Sequence, residues 1–208
     1  MTDSAIRLRL KENAPQVLAE EFSRHRDRLW RMVDFRLDPA LAGRVDPDDV
    51  LQEAWLAAAQ RVQHFIDNES LSMFMWLRLI VGQTVVDLQR RHLGAKMRDA
   101  YREQPIHATG LSRTTAVSLV ARLLGTYTSP SQAVVRDERA RQLRESIDSM
   151  DEMDREILAM RHFEELTNGE VAQALGIQET AASNRYVRAM RRLKAILDGL
   201  PDFSEHSR

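Results

Sequence analysis

Apolar residues return at every third or fourth position along most of the chain, the spacing of helices with one buried side. Leu18, Phe22, Leu29 and Val33 mark a first helix over 14–37. Asp38-Pro39 stops it, because the residue before a proline is pushed out of the helical region. Asp46-Pro47-Asp48-Asp49 is a helix start, with Asp46 as N-cap, Pro47 at the first helical position and two acids in the first turn. Val50, Ala54, Trp55, Ala58 and Val62 carry that helix to Phe65, and Asp49, Gln52 and Glu53 share its outward polar side. Residues 66–71 read as a loop. Residues 72–92 are apolar nearly all round, which predicts the central buried helix of a first domain. Its end turns basic at Asp87, Arg90 and Arg91.

The periodicity lapses over 103–130, which read as a linker with a short helix through 116–124. Ser129-Pro130 starts the next helix, and helices follow over 131–149 and 151–163, with Leu143, Ile147, Ile157 and Met160 turned inward. The stretch from 164 to 197 organises the rest. Thr167 followed three residues later by Glu170 is a capping box. Gly176 stands where a sharp turn is needed, and a second helix runs from 179 to 197. On that helix Ala182, Tyr186, Met190, Leu193 and Leu197 share an apolar face, while Asn184, Arg185, Arg188, Arg191 and Arg192 spread over the other. A short capped helix, a glycine turn and a longer arginine-faced helix make a helix-turn-helix suited to a DNA major groove. The bland alternative is a helical hairpin with a solvated basic face.

The expected fold is therefore all-α, two small helical domains on a linker, the second ending in the helix-turn-helix. The boundaries are an N-terminal arm at 1–13, a first domain at 14–102, the linker at 103–130, a second domain at 131–200 and a frayed tail at 201–208.

Composition changes this picture in two ways. The 208 residues include no cysteine, so there is no disulfide framework, thiol nucleophile or cysteine zinc site. No cofactor is expected: no phosphate-binding glycine loop or Ser/His/Asp arrangement is present, and the histidines have no metal-ligand spacing. No signal peptide is recognisable, and the most apolar run, 73–86, is broken by Arg78 and too short for a bilayer, so a cytoplasmic location with no membrane partner is expected. Net charge is −1, unusual for a protein that binds DNA by bulk charge alone. Charge is instead segregated. Arg90, Arg91, Lys96, Arg98 and Arg102 form one basic cluster and 185–194 another, apart from the acids at 46–53 and 148–156. That arrangement suits DNA on some faces and a protein partner on others. Asp46, Asp48, Asp49 and Glu53 also admit a carboxylate metal site, although capping accounts for most of them. Basic residues near Phe65, Phe74 and Trp76 admit single-strand binding by stacking, against the plainer reading of Trp76 as core.

DPDDVLQEAW (46–55), WLRLIVGQTVVDLQRR (76–91) and the helix-turn-helix run beginning DREILAMRHFEELTNGE (154–193) together resemble a bacterial RNA polymerase sigma factor of the extracytoplasmic-function group. The resemblance implies a transcription initiation factor without catalytic activity, acting in core RNA polymerase on −10 and −35 promoter DNA. Asp49, Gln52 and Glu53 would dock on the β′ clamp helices, and the β flap would be a further polymerase contact. The loop at 66–72, including Ser70, would with Phe65 hold a base flipped from the −10 element. Gln83, Asp87, Arg90 and Arg91 lie on the family's promoter-melting helix. Thr180, Ser183, Arg185, Arg188 and Arg192 would meet the −35 element. An anti-sigma factor is a common partner in the family. The chain departs from the pattern at Gln83, where many members carry Asn, in a slightly longer loop before Trp76, and in lacking Leu-Pro near Asp151. The competing readings are a stand-alone helix-turn-helix regulator, which would bind its operator tightly without polymerase, and a metal-dependent enzyme at the carboxylates.

Overall fold

Helices account for nearly all of the chain that the computed structural model describes: residues 2–41, 43–92, 112–125 and 133–199, with backbone alone at 112–114, 124–125 and 133–140. The chain divides into two compact units, Met1–Leu111 and Ser112–Arg208.

The first unit is a bundle of three mutually packed helices, α1 (Asp3–Arg36), α2 (Pro47–Asp67) and α3 (Met73–His92). α1 begins at Asp3, well before the expected start at 14, so most of the arm expected over 1–13 is a helical segment. Its Ile6 and Leu10 are 4% and 1% exposed. Mixed charge concealed this, because only a narrow side of the segment is apolar. The helix is broken at Asn13 (φ −150°, ψ 76°). The Asn13 side chain accepts from Gln16 N–H at 3.5 Å, so the segment after the break has a cap of its own, and Pro15 lies in its first turn where its missing N–H costs nothing. Arg9 reaches across the break to Glu20 at 2.6 Å.

Asp46 caps α2, its carboxylate accepting Asp48 N–H at 2.8 Å, with Pro47 at the first position. α3 is buried over most of its circumference, from Met73 through Gln89. The Gln89 side chain donates to the Arg36 carbonyl (2.8 Å), meeting one of the acceptors left open at the end of α1. No helix among the described residues is long and apolar enough to cross a membrane.

The second unit contains α4 (Ser112–Gly125), α5 (Ala133–Asp148), α6 (Glu152–His162), α7 (Asn168–Leu175) and α8 (Glu179–Asp198). α4 takes in the short helix expected at 116–124 within the linker, but it starts at Ser112 and packs on α5 and α6 with Ala116, Leu119 and Val120 buried. Its polar residues misled because they too are inside: the Thr115 hydroxyl donates to the buried Glu156 carboxylate. The remaining linker residues, the Ser129-Pro130 helix start and the tail at 201–208 lie outside the described residues. Asp151 caps α6 through Met153 N–H at 3.0 Å.

If α4 belongs to this core, Leu119→Ala removes a side chain that is 1% exposed. It should then cost about 2–5 kcal/mol of unfolding free energy. An unchanged urea midpoint would return α4 to the status of a tether.

Candidate nucleic-acid interface and partner-docking face

The helix-turn-helix is fixed by two local devices. At the start of α7 the Thr167 hydroxyl accepts Glu170 N–H (3.2 Å) and the Glu170 carboxylate accepts Thr167 N–H (2.8 Å). At its end Gly176 takes φ 65°, a conformation that favours glycine. A third contact ties the two helices: the Asn168 amide donates to the Glu179 carbonyl in the first turn of α8 (2.9 Å). A Cβ at Gly169 would lie 2.8 Å from a Glu179 carboxylate oxygen, the far end of a flexible side chain that would have to swing aside.

α8 buries Ala182 and Ala189 and turns Thr180, Asn184, Val187, Arg188 and Arg191 outward. Ala181, Asn184, Arg185, Val187, Arg188 and Arg191 line a shallow concavity on this side. Asn184, Val187 and Arg191 were not among the expected −35 residues. The i, i+4, i+7, i+8, i+11 series from Thr180 identifies them as neighbours of Arg188. Ser183 is also exposed, on the flank.

Arg185 and Arg192 are placed differently from the expectation of a free basic face. Arg185 lies on the flank of the buried side and reaches Asp154 (3.3 Å) and Asp151 (3.5 Å) at the start of α6. Arg192 donates to the Ser149 carbonyl (2.7 Å) just beyond α5. Both pairings join residues more than 30 positions apart, so helical spacing could not reveal them.

His162 fastens α6 to α8. Its Nε2 lies 3.2 Å from the Tyr186 hydroxyl and 3.3 Å from the Met190 sulfur. Burial, and next the positive charge of Arg161, hold its pKa below the ordinary 6.5.

In the first unit, Asp49, Gln52, Glu53 and Leu56 form an exposed stripe on α2, with Leu56 56% exposed. Leu56 was not an expected site residue, although it falls one turn beyond Gln52 and Glu53. Glu53 is paired to Arg91 at 2.6 Å, so a residue expected to face polymerase and one expected to face DNA share an ion pair. Arg90 lies 3.7 Å from Asp87. Asp48 is paired to Arg26 at 2.5 Å. Among the described residues no group of three or more His, Asp or Glu side chains could hold a metal ion, and Asp46, Asp48 and Glu53 have other engagements. Lys96, Arg98 and Arg102 of the basic cluster lie outside the described residues.

A cleft of about 440 Å³ opens between α2 and α3, with Phe65, Leu71, Trp76 and Leu79 supplying apolar walls and Arg61 and Gln83 a polar edge. Arg61 donates to the Gln83 amide oxygen at 2.7 Å. Phe65 corrects the expectation that it stacks on a base. It is 1% exposed, with Trp76 at 5.2 Å and the Arg7 guanidinium 4.3 Å over its ring. It is the floor of the cleft and not an open platform. Ser70 lies on the loop outside the cleft lining, its N–H donating to the Asn68 side chain (3.0 Å).

The pH prediction follows from His162. Unfolded chain binds this proton near pH 6.5 and folded chain only at lower pH, so below 6.5 the unfolded state holds more protons and stability falls. Above 6.5 the residue contributes no pH dependence. His162→Gln should therefore lessen the acid-side loss between pH 7.5 and 5 in urea melts, whereas an unaltered slope would assign that loss to other groups.

Residues 140–193 match the family model described as sigma-70, region 4. A comparison with curated proteins yields no match. The fold is similar to that of CnrH, solved in complex with the cytosolic domain of CnrY. The two share 21% identity, the alignment covers 94% of this chain and 97% of that one, and the TM-score is 0.51. The second unit thus carries a stretch similar to sigma-70 region 4, within a fold similar to that of CnrH.

Proposed function

We propose that this protein is a sigma factor, a dissociable specificity subunit: it docks on core RNA polymerase, recognises −35 and −10 promoter elements and assists promoter melting, leaving nucleotide addition to the polymerase. The observation that carries the reading is the outward face of α8, where Thr180, Asn184, Arg188 and Arg191 stand exposed on a capped helix-turn-helix within the region 4 match. An arginine there can read a guanine edge through two hydrogen bonds, worth roughly 1–3 kcal/mol of discrimination. Asp49, Gln52 and Glu53 are the polymerase-facing acids, and Leu56 supplies an apolar contact beside them. The α2–α3 cleft with its loop is the place for a −10 base, which needs enough contact to repay a few kcal/mol of unstacking.

The near-neutral charge fits this division of labour. Free chain should hold DNA weakly, since phosphate neutralisation dominates affinity and the chain carries a net charge of −1. Arg91, Arg185 and Arg192 are moreover engaged within the protein. An exposed ion pair such as Arg91–Glu53 is worth about 0–1 kcal/mol, so it lowers unaided DNA affinity without forbidding rearrangement in a complex. CnrH was solved with the cytosolic domain of CnrY, and an anti-sigma factor is the corresponding partner to seek here.

Two experiments test the reading. Wild-type chain should co-purify with bacterial core polymerase, and Asp49→Ala/Glu53→Ala should lose that association. Retention by the double mutant would move the interface elsewhere. Failure of folded wild type to bind would favour a stand-alone DNA-binding regulator. Separately, Arg188→Ala should weaken −35 recognition in the holoenzyme by roughly 1–3 kcal/mol with polymerase affinity intact, and loss of polymerase binding in that variant would contradict the assignment.

A further inference from the structure

Arg7 is 7% exposed, an unusual position for a side chain that carries a permanent charge. Its burial is matched by acceptors. Nε donates to the Phe65 carbonyl (3.2 Å), while Nη2 donates to the carbonyls of Asn68 (3.0 Å) and Leu71 (2.7 Å). The face of the guanidinium lies 4.3 Å over the Phe65 ring. One planar fork thus holds the last turn of α2, its C-cap and the far side of the loop together. Four residues earlier, on the same side of the helical segment, the Asp3 carboxylate accepts Met73 N–H (2.8 Å), at the first residue of α3. Asp3 and Arg7 therefore grip both ends of the loop at 68–72, and buried Ile6 and Leu10 anchor the segment that carries them.

The residues whose carbonyls Arg7 binds, Phe65, Asn68 and Leu71, also line the α2–α3 cleft, opposite Trp76 and Gln83. The backbone that Arg7 fixes is thus the wall of the cleft. We propose that Asp3 and Arg7 are positioning residues for −10 recognition: without touching DNA, they hold the loop in the shape that receives an unstacked base. The proposal rests on the reading of this cleft as the base-holding site. A loop held beforehand need not be ordered when the base arrives, so more of the contact energy remains for capture and discrimination. Lysine cannot replace arginine fully, since a single ammonium has no planar fork to span three carbonyls or to lie flat on the Phe65 ring.

The test uses holoenzyme assembled from the full chain. Wild-type holoenzyme is first used to select promoters from a duplex pool randomised at both elements. Failure to enrich any two-part element would sink the sigma-factor reading itself, before Arg7 is considered. On an enriched promoter, open-complex formation and base preference at each −10 position are then compared for wild type, Arg7→Lys, Arg7→Met and Asp3→Ala. Arg7→Met should slow opening on the order of tenfold and flatten the preference at one −10 position, with polymerase affinity and −35 preference unchanged. Arg7→Lys should fall between the two. Asp3→Ala removes a single hydrogen bond from a half-buried side chain and should show the same flattening more mildly, even if Arg7→Met fails to fold. Unaltered −10 preferences in the folded variants would overturn the proposal. So would a uniform loss affecting both elements, the mark of a merely structural role.

Discussion

Every α-helix leaves its last four carbonyls without a donor inside the helix, and in this chain arginines meet that demand at the joints between elements. Arg7 serves the end of α2. Arg155 donates to the carbonyls of Ile147, Asp148 and Met150 around the end of α5, and Arg192 adds Ser149. Arg161 holds the Leu166 carbonyl in the turn before α7. Guanidinium suits the task because its donors are spread in a plane and its charge complements the negative end of the helix dipole. An all-helical chain with short connections depends on such donors, since water reaches buried helix ends poorly. Arginine number in the sequence is accordingly a poor measure of DNA-binding surface.

The same economy shapes the two faces assigned to partners. On α8 the arginines divide by angle: Arg188 and Arg191 project outward, whereas Arg185 and Arg192 reach back to the elements beneath. On α2, Glu53 and Arg91 neutralise each other across to α3, leaving Asp49 and Gln52 beside an exposed Leu56. On the proposed function, recognition would fall to a few side chains on rigid helices, as suits a subunit that acts within a larger assembly.

What could be read from residues alone followed the range of the interaction. The starts at Asp46-Pro47, Asp151 and Thr167, and the turn at Gly176, depend on neighbours within four positions, and they stand where local chemistry predicts. The helix-turn-helix was legible for that reason. The helical segment before Asn13 was not, because its buried Arg7 finds acceptors 58 and more positions away. A short helix was legible at 116–124, but its place in the second unit was not, because Thr115 and Ser118, polar on paper, are buried there. The orientation of Phe65 and the engagement of Arg185 were illegible for the same cause, since aromatic and arginine side chains carry no mark of which way they will turn.

The break at Asn13 also has a consequence in time. The segment before it is synthesised ahead of its partners, since the carbonyls and amide it binds belong to Phe65, Asn68, Leu71 and Met73. Contacts of such long sequence separation form late, after the loop-closure entropy between them has been met. Asp3 and Arg7 leave the ribosome ahead of these partners and must wait for α2 and the start of α3 before they can hold the wall of the cleft.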